Sequence, residues 1–237
     1  MKVNLDPIQM AKQKAALEAV KHVKDGFVVG LGSGSTAAFA IEALGEQVRK
    51  GNLHILGVPT SSQAFQVAVE NKIPITTLDE HQVIDVTIDG ADQLTPELIL
   101  IKGGGAALAR EKIVASASKL NVIIADQPKK VKLLGENNQF VPIEVLPFAL
   151  PIVKETIVAM GGKPVVRECK GKLGPIITDN GNAVIDAYFG EIVNPAELAV
   201  KVKMVPGVIE TGFFIGLTDI AYIASSTTME KIENKRK

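Results

Sequence analysis

The chain has 237 residues and a formal net charge of zero, with 26 Lys plus Arg set against 26 Asp plus Glu. At about 100 to 200 residues per domain the length allows one large domain, or one with a smaller companion, and a composition of 46% hydrophobic and 22% charged residues excludes a disordered chain. Balanced charge excludes a general electrostatic attraction for nucleic acid or an anionic membrane, so an anion must be held by a local site, while the single cysteine, Cys169, excludes an internal disulfide and a Cys-rich zinc centre.

Asp6 and Pro7 form a helix start, a capping carboxylate followed by a ring that fits the first turn, and Gly26 is placed to end a helix over 7 to 24. FVVGL (27 to 31) is a short apolar run that enters a glycine loop, and 36 to 50 then reads as a helix closed by Gly51. The pattern repeats with LHILGV (53 to 58), a polar turn at Thr60, Ser61 and Ser62, and a helix to Asn71. IPITTL, VIDVTID, LILIK and NVIIAD follow as further apolar strands. Strands that are apolar on both faces and alternate with helices predict a mostly parallel, Rossmann-like sheet with helices on both faces.

After Leu134 the rhythm changes. A strand from Gln139, a helix over 150 to 160, two strands around TDNGN (178 to 182), a helix from Pro195 and a strand after Pro206 spell βαββαβ, the split ferredoxin-like α+β pattern. FFIGL and DIAYIAS are expected to rejoin the first sheet. The α/β fold so predicted is a Rossmann-like domain over 1–134 and 208–237 with a ferredoxin-like domain inserted over 135–207. The charged tail MEKIENKRK reads as a solvated end.

Three stretches carry residues suited to chemistry. GLGSGST (30 to 36) sits between a predicted strand and a predicted helix, where helix-end amides favour a phosphate and glycines let it approach the backbone. A tight turn that needs glycine for its geometry alone is the plainer reading. A dinucleotide site would want an acid at the end of the next strand, which instead ends Val58, Pro59, Thr60, and no Gly-Lys-Ser or Gly-Lys-Thr step makes a P-loop. DGAD (89 to 92) ends another strand, so Asp89 and Asp92 fall at the carboxyl edge of the sheet. There they can bind sugar hydroxyls, hold Mg²⁺, or cap a turn.

In KGGGAALAREK (102 to 112) Lys102 ends a strand, Gly103, Gly104 and Gly105 form a turn with exposed amides, and a helix follows. The helical neighbours of Glu111 are Ala107, Leu108, Val114 and Ala115, all apolar. Partial desolvation would make Glu111 a better base; the alternative is a surface glutamate neutralised by Arg110 or Lys112. His22, His54 and His81 lie far apart, with neither metal-ligand spacing nor a Ser-His-Asp pattern. Lys12 and Lys129 have nothing in their local sequence to mark them out.

Taken together, GLGSGST, the TSS turn, DGAD, KGGGAALAREK, the AD-x-x-K segment at 125 to 129, PIEV (142 to 145), TDNGN and PGVIETGFF closely resemble the type A ribose-5-phosphate isomerases of the pentose phosphate pathway, in order and approximate spacing. The resemblance implies that Ser33, Gly34, Ser35 and Thr36 bind phosphate, and that Asp89, Gly90, Ala91, Asp92, Lys102, Gly103, Gly104 and Gly105 line the sugar. It puts Glu111 where the family has its proton acceptor, and Lys12 and Lys129 where the family has lysines near the substrate. Lys102, Asp89 and Asp92 then join Glu111 as catalytic residues. It also implies no metal or organic cofactor, and a homodimer or homotetramer whose partner is a small sugar phosphate, with no nucleic acid and no membrane. One departure stands out: the family commonly has Glu after DGAD, and this chain has Gln93.

A sugar-phosphate-sensing domain without catalysis is the rival reading, weakened because only one clear helix and no concentrated basic face precede the first strand. A nicotinamide-dependent dehydrogenase is the second, weakened by the missing acid. Localisation is expected to be cytoplasmic: no apolar run approaches the roughly 18 residues of a spanning helix, and MKVNLDPIQMAKQK lacks the apolar stretch of a signal peptide.

Overall fold

The computed structural model describes residues 6–171 and 173–234. In chain order the elements are α1 (Pro7–Val20), β1 (Val28–Leu31), α2 (Ser35–Arg49), β2 (Leu56–Pro59), α3 (Ser62–Glu70), β3 (Val86–Gly90), β4 (Gln93–Leu94), β5 (Leu100–Ile101), α4 (Leu108–Ser116) and β6 (Asn121–Asp126). They continue with β7 (Val141–Val145), α5 (Leu150–Ala159), β8 (Lys163–Val166), β9 (Ala183–Tyr188), α6 (Pro195–Lys203), β10 (Val208–Thr211), β11 (Phe213–Phe214), β12 (Ile220–Ala224) and β13 (Met229–Glu233). The chain forms two compact units: one from the residues up to Ala91, Arg110–Lys130 and those from Gly216 on, the other from Asp92–Ala109 and Val131–Ile215.

The first unit is built on a six-stranded sheet of order β13-β12-β6-β3-β1-β2, parallel except for β13. Beyond β2 the predicted strand IPITTL survives as a single parallel bridge, Gly57 to Ile75, flanked by Gly57 N–H to Pro74 O and Thr76 N–H to Gly57 O bonds of 2.8 and 3.0 Å. Counting that segment, the parallel strands run 3-2-1-4-5-6 in chain order, so the direction of travel reverses between β1 and β3. Open parallel sheets bind their ligands outside the carboxyl ends of the strands at such a reversal.

Both faces are covered. Val29, Leu31, Val86, Ile88, Val122 and Ile124 pack with the buried alanines of α1, Ile41 and Leu44 of α2, and Ala64 and Ala68 of α3. The alternate residues Val28 and Val58 pack with Val114 of α4, as the two-residue period of a strand requires. Asp6 starts α1 with a reciprocal capping box to Gln9, its carboxylate accepting the Gln9 N–H at 2.8 Å. The helix ends at Val20, four residues short of expectation, because residues 21 to 25 turn before Gly26, whose φ is 79°.

The second unit holds the expected βαββαβ order in β7, α5, β8, β9, α6 and β10, as an antiparallel sheet of order β10-β7-β9-β8. Ile143, Val145, Ile185 and Ala187 face α5 and α6 through Val153, Ile157 and Val202. A separate three-stranded sheet, β11-β5-β4, joins it through a cluster of Ile101, Val141 and Phe213.

Three expectations change. The LILIK segment and Phe213–Phe214 do not enter the parallel sheet; they pair with each other, Phe213 with Ile101 and Phe214 with Leu100. Residues 92–109 accordingly group with 131–215 in the second compact unit, whereas the sequence reading places them with the parallel sheet. The charged tail is not a loose end through Glu233, because Met229–Glu233 pairs antiparallel with β12 as β13. An edge strand of Lys and Glu remains compatible with water on its outer side. Residues 235–237 lie outside the described residues.

Candidate functional site

In the first unit, β1 and β3 deliver two groups to the same sheet edge. After Leu31, which is in register with Ile88, the chain turns through Gly32 to Gly34 and enters α2. The Ser33 N–H donates to Asp89 Oδ1 at 3.1 Å, and the Gly90 N–H donates to the same oxygen at 2.7 Å. Asp89 is only 3% exposed. Gly32 is required here by packing, since a Cβ on it would lie 2.2 Å from Asp89 Oδ1 and 2.5 Å from Asp89 Cα. Gly34 is required by its backbone, with φ 93° and ψ −180°, a region open in practice to glycine alone.

Having no side chain, Gly34 cannot cap α2, and no acidic residue stands in the first turn. The first-turn amides, including those of Ser35 and Thr36, and the positive end of the helix are therefore presented to an anion. Lys12, reaching from α1, donates to Ser35 Oγ at 2.9 Å and adds a positive charge. The TSS turn completes the loop: Ser33 Oγ lies 2.7 Å from Thr60 Oγ1 and donates to Ser61 Oγ at 2.6 Å, and Gln63 Oε1 accepts the Gly34 N–H at 2.9 Å. Thr60, Ser61 and Gln63 are not among the residues singled out from the sequence, although TSS is visible there as a turn. For Gln63 no sequence signal exists. Lys129 ends a 3₁₀ turn directly after β6, the strand whose Ile124 is in register with Gly90.

Glu111 occupies the first turn of α4 and is 4% exposed. Val114 and Ala115 on the same helix are also buried. That burial removes the reading of Glu111 as a surface glutamate.

In the second unit, β4 and β5 hold Asp92 opposite Lys102. The Asp92 N–H donates to Ile101 O at 2.8 Å, and Asp92 Oδ2 accepts the Gly104 N–H at 2.7 Å. Lys102 is 3% exposed, its N–H bonded to Gly212 O at 2.9 Å and its ammonium 5.3 Å from the centroid of the Phe214 ring. Burial of both a lysine and its aromatic neighbour leaves the charge poorly hydrated, so that it acts strongly on any anion brought to it. Gly103 has a φ of 106°, and a Cβ on it would lie 3.0 Å from the Cβ atoms of Leu108 and Pro142. Arg167, which the sequence reading does not single out, donates to the carbonyl oxygens of Gly103 and Gly104.

Gln93 turns away to other business: its Oε1 accepts the Gly135 N–H at 2.8 Å and its Nε2 donates to Glu136 O at 2.7 Å. The side chain that departs from the family pattern thus pins a loop. Among the described residues no group of three or more His, Cys, Asp or Glu is placed to hold a metal ion.

The first unit is thus a parallel α/β sheet with an anion-receiving loop at its reversal point and a buried carboxylate on α4, and the second holds a buried lysine before its glycine turn, features of an α/β protein suited to a small anionic ligand. Comparison with known proteins is more specific. The family model for ribose 5-phosphate isomerase A (phosphoriboisomerase A) matches residues 56–228. The ribose-5-phosphate isomerase A of Thermosynechococcus vestitus is 46% identical over 219 residues, 92% of each chain. A solved D-ribose-5-phosphate isomerase in complex with phospho-erythronic acid is 42% identical, with a TM-score of 0.93 over 97% of this chain and 100% of the other. The structure of ribose 5-phosphate isomerase A from Methanocaldococcus jannaschii gives 42% identity and a TM-score of 0.89 over 94% of this chain and 97% of that one. The chain belongs to the ribose 5-phosphate isomerase A family.

Proposed function

We propose that the protein interconverts D-ribose 5-phosphate and D-ribulose 5-phosphate, an aldose-ketose isomerisation through an enediolate, as a step of the non-oxidative pentose phosphate pathway. The observation that carries this reading is the burial of two ionisable side chains along one stretch of sequence, Lys102 before the glycines at 103 to 105 and Glu111 after them, both almost fully withdrawn from water. The names of the relatives support the substrate, and so does the complex of one of them with phospho-erythronic acid, a phosphorylated acid whose carboxylate has the planar two-oxygen head of an enediolate.

The reaction leaves the hydrogen count of the sugar unchanged, so no external oxidant or reductant is required. Glu111 removes the proton from carbon 2 of the open-chain aldose and the electron pair becomes the carbon 1–carbon 2 double bond. The same carboxyl then returns a proton to carbon 1. Meanwhile one proton passes from the oxygen on carbon 2 to that on carbon 1, a transfer assigned to Asp89 and Asp92. Lys102 and the amides of Gly103, Gly104 and Gly105 stabilise the negative charge that develops on these oxygens, the contribution that is usually largest in such sites. The nonreacting phosphate binds Ser33, Gly34, Ser35 and Thr36 with Lys12, and Lys129 and the Gly90–Ala91 backbone line the sugar. Fixing the phosphate orients the reacting carbons, so that binding energy serves the chemistry.

The protein acts without a metal or organic cofactor in this scheme, with Lys102 as the electrophile. It assembles as a homodimer or homotetramer; exposed Phe148, Val193 and Met204 on the second unit support assembly. Its single cysteine supports a place in the cytoplasm, and among the described residues no helix is long and apolar enough to cross a membrane. The direct test is formation of ribulose 5-phosphate by purified protein given ribose 5-phosphate alone. Failure of folded protein to form ketose would remove the assignment.

A further inference from the structure

We propose that Arg167 is a positioning residue for this reaction: it holds the glycine turn after Lys102 in the one peptide orientation that presents amide hydrogens to Asp92 and to the substrate. The inference rests on the isomerase reading above.

Arg167 follows β8, and its side chain lies on the face of the four-stranded sheet away from α5 and α6. Its Nε donates to Asp186 Oδ2 at 2.9 Å and its Nη2 to Asp186 Oδ1 at 2.5 Å, a bidentate pair with both side chains only 12% exposed. The remaining arm is spent on the turn: Nη1 donates to Gly103 O at 2.9 Å and to Gly104 O at 3.0 Å. The guanidinium also lies 5.2 Å from the centroid of the Phe140 ring. A planar fork locked on one side by a carboxylate and on another by an aromatic ring has little freedom left, so the two carbonyls are held by a rigid group.

In a trans peptide the carbonyl and the following N–H point in opposite directions. Drawing Gly103 O and Gly104 O toward Arg167 therefore turns the N–H groups of Gly104 and Gly105 the other way. The Gly104 N–H duly reaches Asp92 Oδ2 at 2.7 Å, and the same peptide geometry turns the Gly105 N–H away from Arg167. Glycine peptides flip readily because both signs of φ are open to them. A flip here would aim a carbonyl oxygen at Asp92 and at the developing enediolate, converting stabilisation into repulsion. A positive charge on the carbonyl side also polarises the peptide and strengthens the hydrogen bonds its N–H donates. Nothing in the local sequence marks Arg167, which lies 64 residues from Gly103.

The test compares Arg167→Lys and Arg167→Ala with the wild type. Arg167→Ala is expected to lower kcat by about 10- to 100-fold with KM for ribose 5-phosphate within about threefold, because the anchored amides act on charge that develops during reaction. Affinity for phospho-erythronic acid should fall by the same factor as kcat/KM, while affinity for inorganic phosphate is unchanged. Added guanidinium ion should restore part of the activity of Arg167→Ala and none to Arg167→Lys, which keeps a charge in the space but cannot hold two carbonyls and a carboxylate together. In the free protein, hydrogen exchange at Gly104, whose N–H is bonded to Asp92, should quicken at least about tenfold with the β9 amides unchanged. Normal turnover in both variants overturns the proposal, as does a loss of activity that tracks a loss of exchange protection across the whole second unit. Should wild-type protein fail to isomerise, exchange still decides: quickening confined to the glycine turn at Gly104 upholds the anchoring, and unchanged exchange there overturns it.

Discussion

Replacing Gly32 by alanine inserts one carbon where the structure has no room for it. The new Cβ would stand 2.2 Å from Asp89 Oδ1, 2.4 Å from Cγ and 2.5 Å from Cα, against an ordinary carbon–carbon contact of about 3.5 to 4.0 Å. The carboxylate can swing aside, but Cα belongs to β3 and cannot, so β3 and the loop must separate by about 1 Å. That breaks the 3.1 Å bond from the Ser33 N–H to Asp89. Overpacking costs about 1 to 3 kcal/mol, while Asp89 keeps the bond from the Gly90 N–H. At roughly 2 to 4 °C per kcal/mol for a chain of this size, Tm should fall by at least about 2 °C. Because the displaced loop is the proposed phosphate site and Asp89 a proposed catalytic group, KM should rise and kcat fall together. Gly34→Ala is the control: its Cβ meets nothing within 4 Å, but its φ of 93° makes alanine strained, by about 1 to 3 kcal/mol. It should weaken phosphate binding and leave kcat nearly intact. Calorimetry with steady-state kinetics reads both variants, and a Gly32→Ala protein with wild-type Tm and KM would refute the steric argument.

Glu111→Gln is expected to keep its fold and its affinity for inorganic phosphate while losing at least about 10²-fold in turnover, whereas Lys102→Met should lower kcat more than it raises KM; near-normal turnover in the first, or a pure KM effect in the second, reassigns that residue. Exhaustive chelation should leave turnover unchanged, and activity lost to chelator and restored by Mg²⁺ would make Asp89 and Asp92 metal ligands instead. His22, whose Nε2 lies 2.8 Å from the Tyr222 hydroxyl, titrates below the ordinary 6.5 because burial and then the nearby Lys231 disfavour its charged form. A depressed folded pKa means the unfolded chain binds the proton more readily, so this contribution to stability is present above about pH 6.5 and is lost as pH falls through the folded value. The pH dependence of Tm should flatten there in His22→Gln, and an identical profile in the two proteins would contradict it.

How much of this was visible in the sequence depends on whether the determining contact is local. NVIIAD is a strand to the residue because all six of its side chains are buried, so an unbroken apolar run suffices to mark it. The burial of Glu111 follows from its apolar neighbours one helical turn away. The two-residue strands at 93–94 and 100–101 are too short to show a period, which is why LILIK reads as a strand of the parallel sheet although it pairs with 93–94 and 213–214. Met229–Glu233 reads as a solvated tail because a charged edge strand and a charged end have the same composition. Gly32 looks like a flexible loop residue until Asp89, 57 positions on, is seen against it. Lys12 and Arg167 act on residues 23 and 64 positions away, and no pattern within a single element can disclose such a partner.

The central claim, a single base carrying a proton between adjacent carbons, is tested most directly by equilibrating ribose 5-phosphate with the protein in D₂O and locating deuterium in the product by nuclear magnetic resonance. The account predicts ribulose 5-phosphate labelled at carbon 1, in part or in full according to how fast Glu111 exchanges with solvent relative to transfer, with ketose formed at least about 10²-fold more slowly by Glu111→Gln. A sensing domain would form no ketose, and a hydride mechanism would need added nicotinamide and would carry the substrate hydrogen without solvent exchange. Ketose formed without solvent label at every temperature and pH, or no ketose from the folded protein, would contradict it.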